Sequence, residues 1–125
     1  MLAPEHRLRD SEAFTRTVRS GRRAGGAALV VHLLADGTRT APPRVGLVVS
    51  KAVGNAVVRN RVKRRLRHAV REFLADLPAG TELVLRALPP AAGLSSAELR
   101  AELTRCLQRA RGGTAAAPVR TGAAS

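Results

Sequence analysis

The chain is poor in the residues that most often stack, cross-link or hold metals. It has no Trp, no Tyr and only two Phe. Its core therefore has to be built from Leu, Val and Ala. A single cysteine, Cys106, excludes an internal disulfide and any cysteine-based zinc site. His6, His32 and His68 are scattered along the sequence, so no metal-ligand cluster is expected. Acids are scarce too, with 9 Asp and Glu against 22 Lys and Arg. No apolar run approaches the ~18–20 residues that a membrane span needs. The early charges Glu5, His6, Arg7, Arg9 and Asp10 leave no apolar stretch for a signal peptide. A cytoplasmic protein with no membrane partner is the expectation.

What is present is one domain's worth of chain carrying a large positive charge. A length of 125 residues suits a single modest core. A chain of this size buries roughly 65–70% of its unfolded surface. The hydrophobic content of 45% argues against disorder. The formal charge is +13, and among the cations only Lys51 and Lys63 are lysines. A compact domain with that charge repels itself unless a polyanion neutralises it. Nucleic acid is the partner class this points to.

The order of elements reads α-β-β-α-β-α. Asp10 or Ser11 can cap a first helix over residues 12–19, with Phe14 and Val18 four apart on one face and Gly21 as its stop. The apolar run 27–34 ends at Asp36-Gly37 and reads as a strand, as does 44–50. Asp36-Gly37 and the short loop suggest that these two strands form an antiparallel hairpin. From Val57 to Leu77 the period is helical. Val58, Val62, Leu66, Ala69, Val70, Phe73 and Leu77 cluster on one side, which makes Phe73 a core residue. Residues 81–88 form a third strand, stopped by Pro89-Pro90. Ser95-Ser96-Ala97-Glu98 matches a capping box, and Leu99, Leu103, Cys106, Leu107 and Ala110 continue a last helix to Arg111. Residues 1–111 are read as a single domain and 112–125, rich in Gly and Ala, as a disordered tail.

No constellation for protein-based catalysis is visible. The nine acids form no evident pair and read as solvated partners of nearby Arg. Gly54-Asn55 lacks the Gly-Lys-Ser/Thr of a phosphate loop. The strong feature lies in the long helix. Arg59, Arg61, Lys63, Arg64, Arg65, Arg67 and Arg71 occur with no acid between them. Arg59/Lys63, Lys63/Arg67 and Arg67/Arg71 are like-charged i,i+4 pairs, which destabilise an isolated helix. Phosphates would remove that repulsion, and Arg binds them through parallel hydrogen bonds.

The stretch Ser50-Lys51-Ala52-Val53-Gly54-Asn55-Ala56-Val57-Val58-Arg59-Asn60-Arg61-Val62-Lys63-Arg64 resembles the signature of the protein subunit of bacterial ribonuclease P, centred on Arg59-Asn60-Arg61. Arg7-Leu8-Arg9, Phe14, Val18 and Gly21 resemble the family's N-terminal helix. The resemblance covers roughly residues 5–111. It implies an α+β fold, a two-layer α/β sandwich like certain ribosomal-protein domains, with a mixed sheet. It also implies a left-handed βαβ crossover through the basic helix, where the general rule favours a right-handed one.

The implied function is that of a helper to a catalytic RNA. That RNA, with bound magnesium, hydrolyses one phosphodiester of precursor tRNA and releases the 5′ leader. The implied partners are thus the ribonuclease P RNA and precursor tRNA, with magnesium held mainly by the RNA and none by the protein alone. The protein is a subunit of a ribonucleoprotein endoribonuclease and is not itself catalytic. By the resemblance, Lys51, Asn55, Arg59, Asn60, Arg61, Lys63, Arg64 and Arg67 face the RNA. Arg65 and Arg71, on the same helix, complete the RNA-binding set, and His68 lies near this basic face. For Asn60, a hydrogen bond to a base edge and a local cap are both open. Phe14, Val18 and His32 are implied to line a cleft for the single-stranded leader. Val18 and His32 stand where aromatics are common in the family, so the stacking platform is thin. Phe14 and Val18 as plain core residues remain the alternative. Charge and size alone also fit a ribosomal protein or RNA chaperone. A DNA-binding regulator lacks support, since no helix-turn-helix spacing occurs.

Overall fold

The computed structural model describes residues 7–8, 11–35 and 40–112. The expected cap at Asp10, the Asp36-Gly37 turn and the tail beyond Gly112 lie outside the described residues. Three helices, α1 (Ser11–Ser20), α2 (Ala56–Leu74) and α3 (Ser96–Gly112), pack on a four-stranded sheet. Its strands are β1 (Arg22–Gly25), β2 (Leu29–Leu34), β3 (Arg44–Val49) and β4 (Glu82–Ala87). Every helix and strand read from the sequence is present, and the short β1 is added to them.

The sheet order is β1-β2-β4-β3, so the expected hairpin is corrected. Strands β2 and β3 follow one another in sequence but do not pair. Strand β4 lies between them, antiparallel to β2 and parallel to β3. The physical reason is burial. Leu83, Val84, Leu85 and Ala87 of β4 are all buried, which only an interior strand achieves. The parallel β3–β4 pair requires a crossover, and α2 supplies it.

The two faces of the sheet differ. One carries Leu29, Val31, Leu33, Val45, Leu83 and Leu85, and α2 and α3 close over it to form the main core. Burying a Leu or Val side chain there contributes about 1.5–3 kcal/mol. The other face carries Gly46 and Val48 of β3, Val30 and His32 of β2, and Glu82, Val84 and Arg86 of β4. Of the three helices, α1 packs on it. A small second cluster of Leu8, Ala13 and Val84, with Phe14 and Val48 against it, seats α1 there. Leu8 also donates its N–H to the Val45 carbonyl, laying the segment before α1 along the β3 edge.

Helix ends follow sequence rules. Asn55 caps α2, its Oδ1 accepting from Val58 N–H at 3.0 Å. Ser95 and Glu98 form the reciprocal capping box of α3, at 2.8 and 3.1 Å. Helix α2 ends at Leu74, short of the expected Leu77, which is buried after the helix has turned off. Helix α3 runs to Gly112, one residue past the expected Arg111. Pro89–Gly93 forms a 3-10 turn rather than a bare stop.

Candidate RNA interface

Helix α2 presents its cations because its apolar side is taken. Val62, Leu66, Ala69 and Val70 are fully buried, and Phe73 and Val58 pack against the main core. The opposite arc carries Asn60, Lys63, Arg64, Arg67 and Arg71. Among the described residues, Lys51, Arg59, Lys63, Arg64 and Arg67 make no ion pair. Arg71 has a partner within the chain. His68 is exposed on the same helix.

Three residues of the sequence-predicted set have internal duties. Asn55 is spent on the helix cap. Arg61 donates to the Ala92 carbonyl at 3.3 Å, and Arg65 donates to the Leu94 carbonyl at 2.6 Å. Both lie on the border of α2 that faces the 3-10 turn, and they tie that turn to the helix. Their guanidiniums retain other donors, since each has five. The Nε atoms of Arg59 and Arg61 are buried and without a partner.

The cleft side is built around α1. Phe14 is half-buried, and the far end of its ring lies against Gly46. A Cβ at Gly46 would collide with that ring, so glycine is what allows the contact. Val18, paired with Phe14 in the sequence reading, is 41% exposed and off the buried face. The residue one turn on from Ala13 is Thr17, wholly buried, whose hydroxyl donates to Ala13 O at 2.8 Å. The structure thus gives α1 an Ala13–Thr17 contact stripe with Phe14 at its edge. His32 lies on the same sheet face, beside Arg23 of β1 and Val84 of β4 by register. Burial, then the charges of Arg23 and Arg86, hold its imidazole below the ordinary 6.5.

Sequence reasoning missed the residue that fixes this side. Glu82 was read as a solvated acid, yet it is 1% exposed at the start of β4. Its carboxylate accepts two bonds from Arg16 of α1, at 2.7 and 2.8 Å, and one from Arg44 of β3. The Thr17 hydroxyl lies 3.2 Å from it. One buried anion thus joins α1, β3 and β4. The available signal was its place on the same strand face as Val84 and Arg86. Glu102 is the second buried acid. From α3 it accepts the N–H groups of Ala28 and Leu29 where β1 turns into β2, together with Arg105 at 3.1 Å. Burial pushes its carboxyl up, but the Ala28 N–H, Arg105 and the Leu29 N–H outweigh that and hold it below the ordinary 4.5.

The two sides meet at one end of the sheet. Parallel strands β3 and β4 finish together at Val49 and Ala87. Val48 and Arg86 of the open face therefore adjoin Ser50–Asn55, which leads into α2. Residues 2–111 match the model of the Ribonuclease P family. The chain belongs to the ribonuclease P protein family. It is 58% identical over 110 residues to the ribonuclease P protein component of Nocardioides sp., spanning 87% of this chain and 94% of the relative. It is 53% identical to that of Streptomyces griseus over 122 residues, spanning 92% and 99%. Among solved structures it is similar to the Staphylococcus aureus RNase P protein, with TM-score 0.76, 25% identity and coverage of 85% and 95%. The Thermotoga maritima RNase P protein gives TM-score 0.69 at 25% identity, covering 82% and 96%. The mixed sheet with three helices is the fold of these proteins, as the sequence resemblance implied.

Among the described residues no group of three His, Cys, Asp or Glu could hold a metal ion, and no helix is long and apolar enough to cross a membrane.

Proposed function

We propose that the chain is the protein subunit of a ribonucleoprotein that removes the 5′ leader of precursor tRNA. The observation that carries this reading is the arc of α2. In a chain of this family, Lys63, Arg64 and Arg67 stand on a well-packed helix with no ion pair among the described residues. The phosphates of the partner RNA answer them instead. Lys51 and Arg59, near the start of α2, extend the contact toward the cleft. Asn60 offers its amide to the RNA, because the cap duty falls to Asn55 and not to Asn60.

In this reading the protein does no bond-making. In this reading the magnesium is held mainly by the RNA. The protein's cations lower the repulsion between two RNAs as they approach, which reduces the magnesium that the reaction needs. The leader, a single strand, lies between α1 and the open sheet face. Phe14 supplies one stacking surface there, and Val18 and His32 flank it.

The test is reconstitution with the cognate catalytic RNA at low magnesium. The chain should accelerate leader removal and bind precursor tRNA more tightly than mature tRNA when complexed. Phe14→Ala should weaken precursor binding by about 1 kcal/mol, the lower end for one stacked base, and leave mature tRNA unchanged. Equal losses for both tRNAs with a lowered melting temperature would make Phe14 structural. No acceleration by the folded chain would overturn the proposed function.

A further inference from the structure

On the open face of the sheet one buried polar atom has nothing to bind. His32 is 7% exposed, and its Nδ1 has no hydrogen-bond partner among the described residues. Leaving a buried ring nitrogen unpaired is costly, and native structures rarely do so without a reason. Arg23 faces His32 across the β1–β2 ladder, and Arg86 lies diagonally across on β4, opposite Val30. Cross-strand and diagonal partners share a face, so all three side chains emerge together. Arg23 and Arg86 are exposed and make no ion pair among the described residues.

The other charged groups near this face are already engaged or lie further out. Glu82 of β4 is held by Arg16 of α1 and Arg44 of β3. Helix α1 carries Glu12 and Arg19 besides, both exposed. No carboxylate is therefore assigned to His32. An imidazole between two guanidiniums stays neutral while the site is empty, and a phosphate would reverse the local sign.

We propose that Arg23, His32 and Arg86 form a proton-coupled clamp for one phosphodiester of a single-stranded RNA. The clamp rests on the leader-cleft reading above and adds its regulation. The two guanidiniums hold the phosphate oxygens. His32 takes up a proton on binding, and Nδ1–H then donates to the phosphate. Because one proton enters with the ligand, the single strand binds more tightly as pH falls.

The probe is octauridine, which does not titrate between pH 5 and 8, with sulfate as the simple anion. Two readouts use the full chain: the dissociation constant across pH 8 to 5.5, and the NMR titration of the His32 ring with and without each probe. Octauridine should raise the ring pKa by about one unit, and its affinity should tighten several-fold across that range, toward a limit of about tenfold once pH lies below both ring pKa values. His32→Gln should abolish the pH dependence. If that variant does not fold, Arg86→Gln, at an exposed position, should lower the rise in ring pKa. Octauridine that shifts Val30 and Val84 resonances without moving the His32 titration would overturn the clamp and leave the cleft reading intact. Octauridine that leaves those resonances unmoved would overturn the cleft reading itself. A sulfate-only response would overturn the assignment to a single strand.

Discussion

The α1 side of the sheet and the exposed arc of α2 use the same residue type in opposite ways. On the α1 side, Arg16 and Arg44 converge on the buried Glu82, so their charge is answered inside the protein. On α2, Arg59, Lys63, Arg64 and Arg67 have no such answer among the described residues. The first arrangement fixes where a helix sits. The second leaves charge available to a polyanion, and the fold tolerates its repulsion because Val62, Leu66 and Val70 anchor the helix from behind. In this chain an internal acceptor, the Glu82 carboxylate for Arg16 and Arg44 or the Leu94 carbonyl for Arg65, marks an arginine that builds the fold.

The comparison breaks most visibly at Glu82. Glu82→Gln removes the shared anion and leaves two guanidiniums facing a neutral amide. A loss of about 3–5 kcal/mol is expected from denaturant unfolding, as for other broken buried pairs. If instead stability hardly changes, Glu82 does not seat α1. No comparable loss should follow from removing an α2 cation.

Glu102 comes next. Glu102→Gln should lower stability by about 1–3 kcal/mol at neutral pH, since the Ala28 and Leu29 N–H groups lose a charged acceptor. The pH dependence follows from its lowered pKa. A carboxyl held below its ordinary 4.5 when folded stabilises the fold above that value. That contribution drains away as pH falls through the lowered pKa. His32, also lowered, gives a second loss that begins near its ordinary 6.5 as pH falls. Unfolding curves from pH 7 to 3 should show both, and Glu102→Gln should flatten the more acidic part only.

A smaller effect separates cations within α2. Arg65→Ala removes a hydrogen bond to the Leu94 carbonyl and should cost about 1 kcal/mol. Arg64→Ala, one residue away and exposed, should cost nothing measurable. Equal melting temperatures for the two variants would place Arg65 with the free cations.

The sequence revealed the parts of this arrangement that depend on local order. The period of α2, the capping box of Ser95 and Glu98 and the apolar runs of β2, β3 and β4 are all short-range signals. Strand β1 escaped because Arg-Arg-Ala-Gly carries no apolar alternation; its place comes from pairing with β2. The sheet order escaped because a plausible turn after β2 says nothing about β4, which arrives from more than 40 residues away to take the middle position. For the site, the cations of α2 were legible as a run without acids. Which of them bind inward was not, because the carbonyls of Ala92 and Leu94 belong to a turn that only the tertiary fold brings alongside. The contact face of α1 was not legible from its two larger apolar residues, Phe14 and Val18. The small Ala13 and the polar Thr17 mark it instead, because Thr17 satisfies its hydroxyl on Ala13 and reaches Glu82.

The most direct test of the central claim, that the unanswered cations of α2 bind the partner RNA, is the salt dependence of binding to the cognate ribonuclease P RNA. Lys63→Ala combined with Arg67→Ala removes two cations that have no ion pair among the described residues. The log–log slope of affinity against salt should flatten by about two units, by analogy with DNA. The unfolding curve should stay native. An unchanged slope from a folded double variant would contradict the claim and place the RNA on another face.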